Sequence, residues 1–202
     1  MPHHRHTIPV ATSALLFVCL MLHAQASLSA QAFAPYNDAE AYKIYESLLP
    51  TDWTVTVGHA RRLLIQAQTG STDFCLKPAP ESAALLQPLF DSFVALNKTS
   101  WLLQPKFNLD IPYEFASRED LQAFFKPDGG GWEGLATRYP DSAHSYIVLS
   151  PVAFNADKSV AVVYMGHSCG NLCGGGTFHV LEKKDGLWKN MRWMGTSCAW
   201  AS

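Results

Sequence analysis

Between Ser145 and Trp193 the hydrophobic pattern leaves the chain few choices. SYIVLS, SVAVVYMGH, TFHVLEKK and LWKNMRWM are short runs rich in β-branched and aromatic residues, separated by turn chemistry and by the stretch SCGNLCGGG. Runs of that length and composition, broken at that spacing, predict an antiparallel meander. In the second run Val160, Val162 and Tyr164 share one face and Ala161, Val163 and Met165 the other, because side chains alternate along a strand. Apolar residues on both faces predict a central strand covered on both sides. In the third, His179, Leu181 and Lys183 alternate with Val180 and Glu182. Lys184-Asp185-Gly186 then has the chemistry of a type I turn followed by a left-handed residue, where glycine costs least.

The residues upstream supply helices. Asn37-Asp38-Ala39-Glu40 is an N-cap followed three residues later by Glu, and Ala41, Ile44, Tyr45 and Leu48 recur at helical spacing, predicting a helix from about Asp38 to Leu49 that Pro50 stops. Trp53 to Val57 alternates as a strand, with Arg61 to Gln68 as its expected hairpin partner. A second helix is expected over Glu81 to Asn97, with Leu85, Leu89, Phe93 and Leu96 on its buried face. Pro88 inside it predicts a kink or a later start. Trp101 to Leu109 reads as loop and then a short strand. Ser117-Arg118-Glu119-Asp120 has capping-box spacing for a helix through Phe125. Trp132, Leu135 and Tyr139 make a further helical turn or two, ended by Pro140. The expected fold is one α+β domain, a C-terminal antiparallel meander sheet (core 145–194) packed on one face by helices from the N-terminal two-thirds.

Arg5, the apolar run Val10 to Leu22 and Ala24-Gln25-Ala26 form the three regions of a secretory signal peptide. The run is short for a bilayer span, which takes about 20 residues. Cleavage is expected after Ala26, with Ala30 or Ala32 as later options, leaving residues 27–202 as a single domain in the periplasm or the medium. Arg5 is the only charged residue before position 27, so the remainder carries 14 basic against 17 acidic residues. That balance gives no electrostatic footprint for nucleic acid or an anionic membrane, and no later stretch is long and apolar enough for a transmembrane helix. Without Cys19, four cysteines remain: Cys75, Cys169, Cys173 and Cys198. An even number in an exported chain predicts two disulfides. Cys169–Cys173 is favoured because it is local, which leaves Cys75–Cys198.

Most of the last seventy residues carry a resemblance. Trp132, Tyr139-Pro140-Asp141-Ser142, Leu149-Ser150-Pro151-Val152-Ala153-Phe154-Asn155, Ala161 to Tyr164, Cys169 to Gly176 with Leu172-Cys173-Gly174, and Leu181 to Trp188 with Lys184-Asp185-Gly186 resemble a family of uncharacterised bacterial proteins predicted to be exported. Ala153 and His144 stand where that family's pattern has glycine. The resemblance implies one secreted domain and makes the Cys/Gly loop a family feature. No activity is established for the family, so no catalytic residue is transferred.

Several constellations could carry chemistry. Gly166-His167-Ser168-Cys169-Gly170 fits G-x-S-x-G, but that motif needs a strand before it, a helix after it and an acid and then a His downstream. Asn171-Leu172-Cys173 and three glycines are a poor helix start, and no His follows Asp185. His167, Cys169, Cys173 and His179 have the ligand types of a zinc or copper site. An oxidising compartment argues against free thiolates, and His179 is expected to point away from His167. A C-x₃-C pair can also be redox-active. Gly170, Gly174, Gly175 and Gly176 could form an anion nest, or provide positive-φ turns beside a disulfide. No Lys-Ser/Thr follows them, so there is no P-loop. No cofactor and no metal are assigned. Two functions remain. One is a non-catalytic binding module presenting His167, Ser168, Gly170, Asn171, Gly174, Gly175, Gly176 and His179, with Trp132, Tyr164 and Trp193 nearby, to a protein, glycan or small molecule. The other is a hydrolase-like enzyme using His167, His179 and a carboxylate or metal.

Overall fold

The computed structural model describes residues 33–49, 60–71, 76–191 and 199–201. Among them the chain runs α1 (Ala39–Leu48), β1 (Leu63–Gln66), α2 (Ala83–Leu96), β2 (Tyr113–Ala116), α3 (Arg118–Phe124), α4 (Gly131–Arg138), β3 (Tyr146–Leu149), β4 (Ala153–Phe154), β5 (Val160–Ser168), β6 (Gly174–Lys184), β7 (Leu187–Asn190) and β8 (Ala199–Ala201). The expected signal peptide, the strand over 53–57, Cys75, Cys198 and Trp193 lie outside the described residues.

The strands form one mixed sheet in the order β2-β1-β3-β5-β6-β7, with β4 beside β5 and β8 beside β6. β3, β5, β6 and β7 pair antiparallel, as the meander pattern predicts. β1 departs from expectation. It runs parallel to β2 over residues 63–66 and to β3 at Ile65, where an antiparallel hairpin strand is expected; the expected partner over 53–57 lies outside the described residues. The short strand expected within Trp101 to Leu109 does not form either. Pro105 removes a donor from that segment, and Leu102 makes only isolated bridges to Pro35 and Gln68. The strand begins instead at Tyr113.

β5 explains the layers. Ala161, Val163 and Met165 face α1 (Ile44, Tyr45 and Leu48) and the extended segment around Leu103 and Phe107. Val162 and Tyr164, with Phe178 and Val180 of β6, face Leu86, Leu89, Phe90 and Phe93 of α2. α3 and α4 cover Leu64 and Ala116 with Leu121, Leu135 and Tyr139. Helices therefore pack on both faces of the sheet rather than one, because a central strand apolar on both sides needs cover on both.

The caps show why each helix sits where it does. Asp38, not Asn37, caps α1, accepting from the Glu40 N–H at 3.0 Å. Glu40 is then free to reach across to the sheet, where its Oε2 accepts from Lys183 Nζ at 2.8 Å and Trp188 Nε1 at 3.2 Å. Ser117 caps α3 by accepting from the Asp120 N–H at 3.0 Å, as its spacing predicts. α2 starts at Ala83 after a 3₁₀ turn over Pro80–Ser82 and keeps Pro88 inside it. Its buried stripe is Leu86, Leu89, Phe90 and Phe93, and Leu85 is 51% exposed. The expected and observed stripes overlap, and contact with β4–β6 selects between them.

Between β3 and β4 the chain carries one extra residue. Leu149 pairs with Met165 and Ala153 with Val162, so three residues oppose two, which is a β-bulge. Ser150 fills the break, since its Oγ accepts the Tyr164 N–H at 2.8 Å and its own N–H donates to the Tyr164 carbonyl at 3.0 Å. Tyr45 donates to the Ser150 carbonyl at 2.6 Å and Tyr36 accepts from the Val152 N–H at 2.9 Å. Burial lifts both hydroxyls well above the ordinary phenol range, so they stay protonated and polar groups inside the core stay paired. At the far end of β6, Asp185 and Gly186 both have positive φ (54° and 78°) and Lys184 pairs with Leu187. The turn is thus a two-residue type I′, in place of the expected type I turn with one left-handed residue.

Candidate functional site

The site is built at the closed end of the β5–β6 hairpin. Ser168 pairs with Gly174, and one step further Cys169 and Cys173 face each other. The Cys169 N–H donates to the Cys173 carbonyl at 2.6 Å, and a disulfide joins the two across a Cα separation of 4.9 Å. The favoured local bridge is therefore present and closes a five-residue loop. Gly170, at φ +103°, makes the reversal, and nothing stands within 4 Å of a Cβ there. Asn171 and Leu172 project from the tip, with Leu172 87% exposed.

The glycines after the bridge do a different job from the one expected of them. Gly174, Gly175 and Gly176 are strand residues of β6, paired with Ser168, His167 and Gly166. Of Gly170, Gly174, Gly175 and Gly176, Gly170 alone has positive φ, so the three strand residues are neither turn formers nor an anion nest. They are small because rings lie on them. A Cβ at Gly176 would stand 2.1 Å from Tyr164 Oη and 2.6 Å from Trp200 Nε1, and one at Gly166 would stand 2.6 Å from Tyr164 Oη. On the opposite face a Cβ at Gly175 would come 3.2 Å from the His167 ring. Glycines within strands commonly mark such close approaches.

Tyr164 and Trp200 form the wall of this end. β8 brings Trp200 opposite Gly176, and its indole N–H donates to Tyr164 Oη at 2.8 Å. Burial holds the Tyr164 hydroxyl above the usual phenol range, against the opposing pull of that indole bond. Trp200, 38% exposed, is absent from the sequence-derived candidates. The signal that could have found it is the glycine run itself, which needs a ring to cover it.

Trp132 reaches the same end through Tyr146, on which it stacks at 6.2 Å and 22°, and Tyr146 pairs with Ser168. Comparison of the chain with protein-family models, with curated proteins and with solved structures finds no match.

Two of the constellations singled out in the sequence are not assembled. Ser168 is followed by the disulfide loop and a strand, not by the helix a nucleophile elbow requires. His167 pairs with Gly175 and His179 with Val163, so the two histidines share one face of the sheet, contrary to the expectation that they point apart. They stand four residues apart along the strands, about 13 Å at about 3.3 Å per residue, too far to coordinate one metal ion. His167 is buried, and His179 Nδ1 lies 3.2 Å from Asn190 Oδ1. Among the described residues no group of three His, Cys, Asp or Glu could hold a metal.

Proposed function

We propose that this protein is an exported, non-catalytic binding module, periplasmic or secreted, whose contact surface is the disulfide-closed tip of the β5–β6 hairpin. The observation that carries the proposal is Leu172, 87% exposed in a loop that a covalent bond holds in one shape. Fixing a loop in advance lowers the entropy lost on binding, and Leu172 gives this fixed loop an apolar group to offer a partner. The disulfide also supports export, because cytosolic thiols are kept reduced. From Ser159 to Leu181 the chain has no Asp, Glu, Lys or Arg. The tip therefore engages its partner through apolar contact and hydrogen bonds from Ser168, Asn171 and the loop backbone, with little ionic steering.

The partner is a protein, contacted through Leu172. A photo-crosslinking amino acid at position 172, expressed in the native cell, should give one dominant covalent adduct. Cys169→Ser with Cys173→Ser should abolish it. The same probe at Leu187, 63% exposed at the other end of β6, serves as the control. An absence of adducts at 172, or the same adducts at 172 and 187, would sink the proposal.

A further inference from the structure

A cavity of about 320 Å³ opens where α3 and α4 meet, lined by Asp120, Ala123, Phe124, Gly129, Arg138 and Tyr139. Its walls are held by close backbone packing. A Cβ at Gly129 would stand 2.0 Å from the Ala123 carbonyl oxygen, and one at Gly134 would stand 2.4 Å from the Gly129 carbonyl oxygen. Glycine at both positions lets the two helices close on each other.

Two opposite charges line it, both on solvent-exposed residues. Asp120 lies in the first turn of α3 and Arg138 in the last turn of α4. A carboxylate at the third position of a capping box ordinarily returns a bond to the cap residue's N–H. Asp120 accepts no hydrogen bond on its carboxylate and makes no ion pair among the described residues; only its backbone N–H is engaged, by Ser117. Arg138 makes no ion pair among them either. Its guanidinium carbon sits 4.9 Å from the centre of the Tyr139 ring, which fixes the group while leaving its N–H donors open. Opposite charges thus line one cavity without closing on each other. Phe124 and Tyr139 give it an apolar wall. The Tyr139 hydroxyl is held above its ordinary range by burial, with Asp120 and Glu114 reinforcing and Arg138 opposing, so it remains a donor. Glu114 itself faces Arg62 at 3.8 Å.

We propose that this cavity is a binding site for a small zwitterion, a free α-amino acid with an apolar side chain. Its carboxylate meets the Arg138 fork, its ammonium meets Asp120, and its side chain lies on Phe124 and Tyr139. Guanidinium pairs with carboxylate in a two-bond geometry that a lysine cannot reproduce. The volume lies at the small end of the range for ligand pockets, roughly 300–1,000 Å³, which favours a single amino acid over a larger molecule. The site is independent of the hairpin tip, and either can fail without the other.

The test is calorimetric titration of the full chain with L-leucine, and with N-acetyl-L-leucine and L-leucine amide as probes lacking one charge. Saturable one-to-one binding of leucine is expected, with each single-charge probe weaker by about tenfold or more. Asp120→Asn should weaken leucine but leave N-acetyl-leucine unchanged, and Arg138→Gln should weaken leucine but leave the amide unchanged. Thermal transitions close to that of the parent would show both variants folded. No saturable heat up to about 10 mM leucine, or equal binding by parent and both variants, would overturn the proposal. So would an effect of the variants on thermal stability alone, which would leave the two charges serving only their helix ends.

Discussion

The two ends of β6 solve the same problem, reversing the chain between antiparallel strands, by opposite means. At the Asp185-Gly186 end the loop has two residues, both with positive φ, and charges surround it. Lys184 pairs with Glu182, and Lys183 reaches Glu40 on α1. At the Cys169–Cys173 end the loop has five residues, a covalent bond closes it, and the chain from Ser159 to Leu181 carries no Asp, Glu, Lys or Arg. One end rests on backbone preference and ion pairs, which salt and pH can weaken. The other rests on sulfur and on rings lying over glycine, which neither affects. The second design suits the partner-binding role proposed for that tip, and the first ties the sheet to a helix.

That contrast can be broken most sharply at Gly176. Gly176→Val should cost about 3 kcal/mol, because the added carbons overlap the Tyr164 and Trp200 rings, which must shift and give up their hydrogen bond. Urea denaturation would measure it, and a variant as stable as the parent would show that the ring pair moves aside freely. Replacing Cys169 and Cys173 by Ser should cost about 2 kcal/mol, as expected for a five-residue loop on chain-entropy grounds. The loss should be the same at low and high salt, with a cooperative transition retained. Loss of that transition would mean the bridge holds more than its loop.

Glu40→Gln comes next, at about 1–2 kcal/mol near neutral pH. Hydrogen bonds from Lys183 and then Lys43 bring the Glu40 carboxyl from an ordinary 4.5 down to about 2. A depressed carboxylate stabilises the fold above its unfolded pKa and loses that contribution as pH falls through the folded one. The gap between parent and Glu40→Gln should therefore be full above about pH 5, shrink below 4.5 and close near 2. Partial solvent exposure of the pair is the reason the expected energy is smaller than the full shift implies. Gly186→Ala should be the mildest, about 1 kcal/mol. At φ +78° and with nothing within 4 Å of a Cβ, the strain is conformational alone. If Gly186→Ala proved costlier than Gly176→Val, the two ends would have been assigned the wrong physics.

What the residues announced was local. The two-sided alternation of β5, Ser117 as a cap, the stop at Pro140 and the nearby cysteines each follow from chemistry within a few positions. Partners far along the chain left no such trace. Nothing in Leu63 to Gln66 says that Tyr113 to Ala116 runs parallel beside it, fifty residues on. α2 carried two overlapping apolar stripes, and only the sheet could choose between them. At the site, the bridge was readable and the glycines were not, since their cause is the Tyr164 ring and an indole 36 residues beyond it. Counting those glycines as loop rather than strand also placed His167 and His179 on opposite faces.

β1, which occupies the middle of the parallel half of the sheet, has consequences for how the molecule is assembled. Both of its neighbours are made later, ending at Ala116 and Leu149, and α1 must wait for Lys183 and Trp188 before Glu40 finds its partners on the sheet. Long-separated pairings of this kind form slowly. The early part of the polypeptide therefore gains its sheet contacts only when synthesis is nearly finished. Any fragment ending short of Trp188 would leave Glu40 without its indole donor.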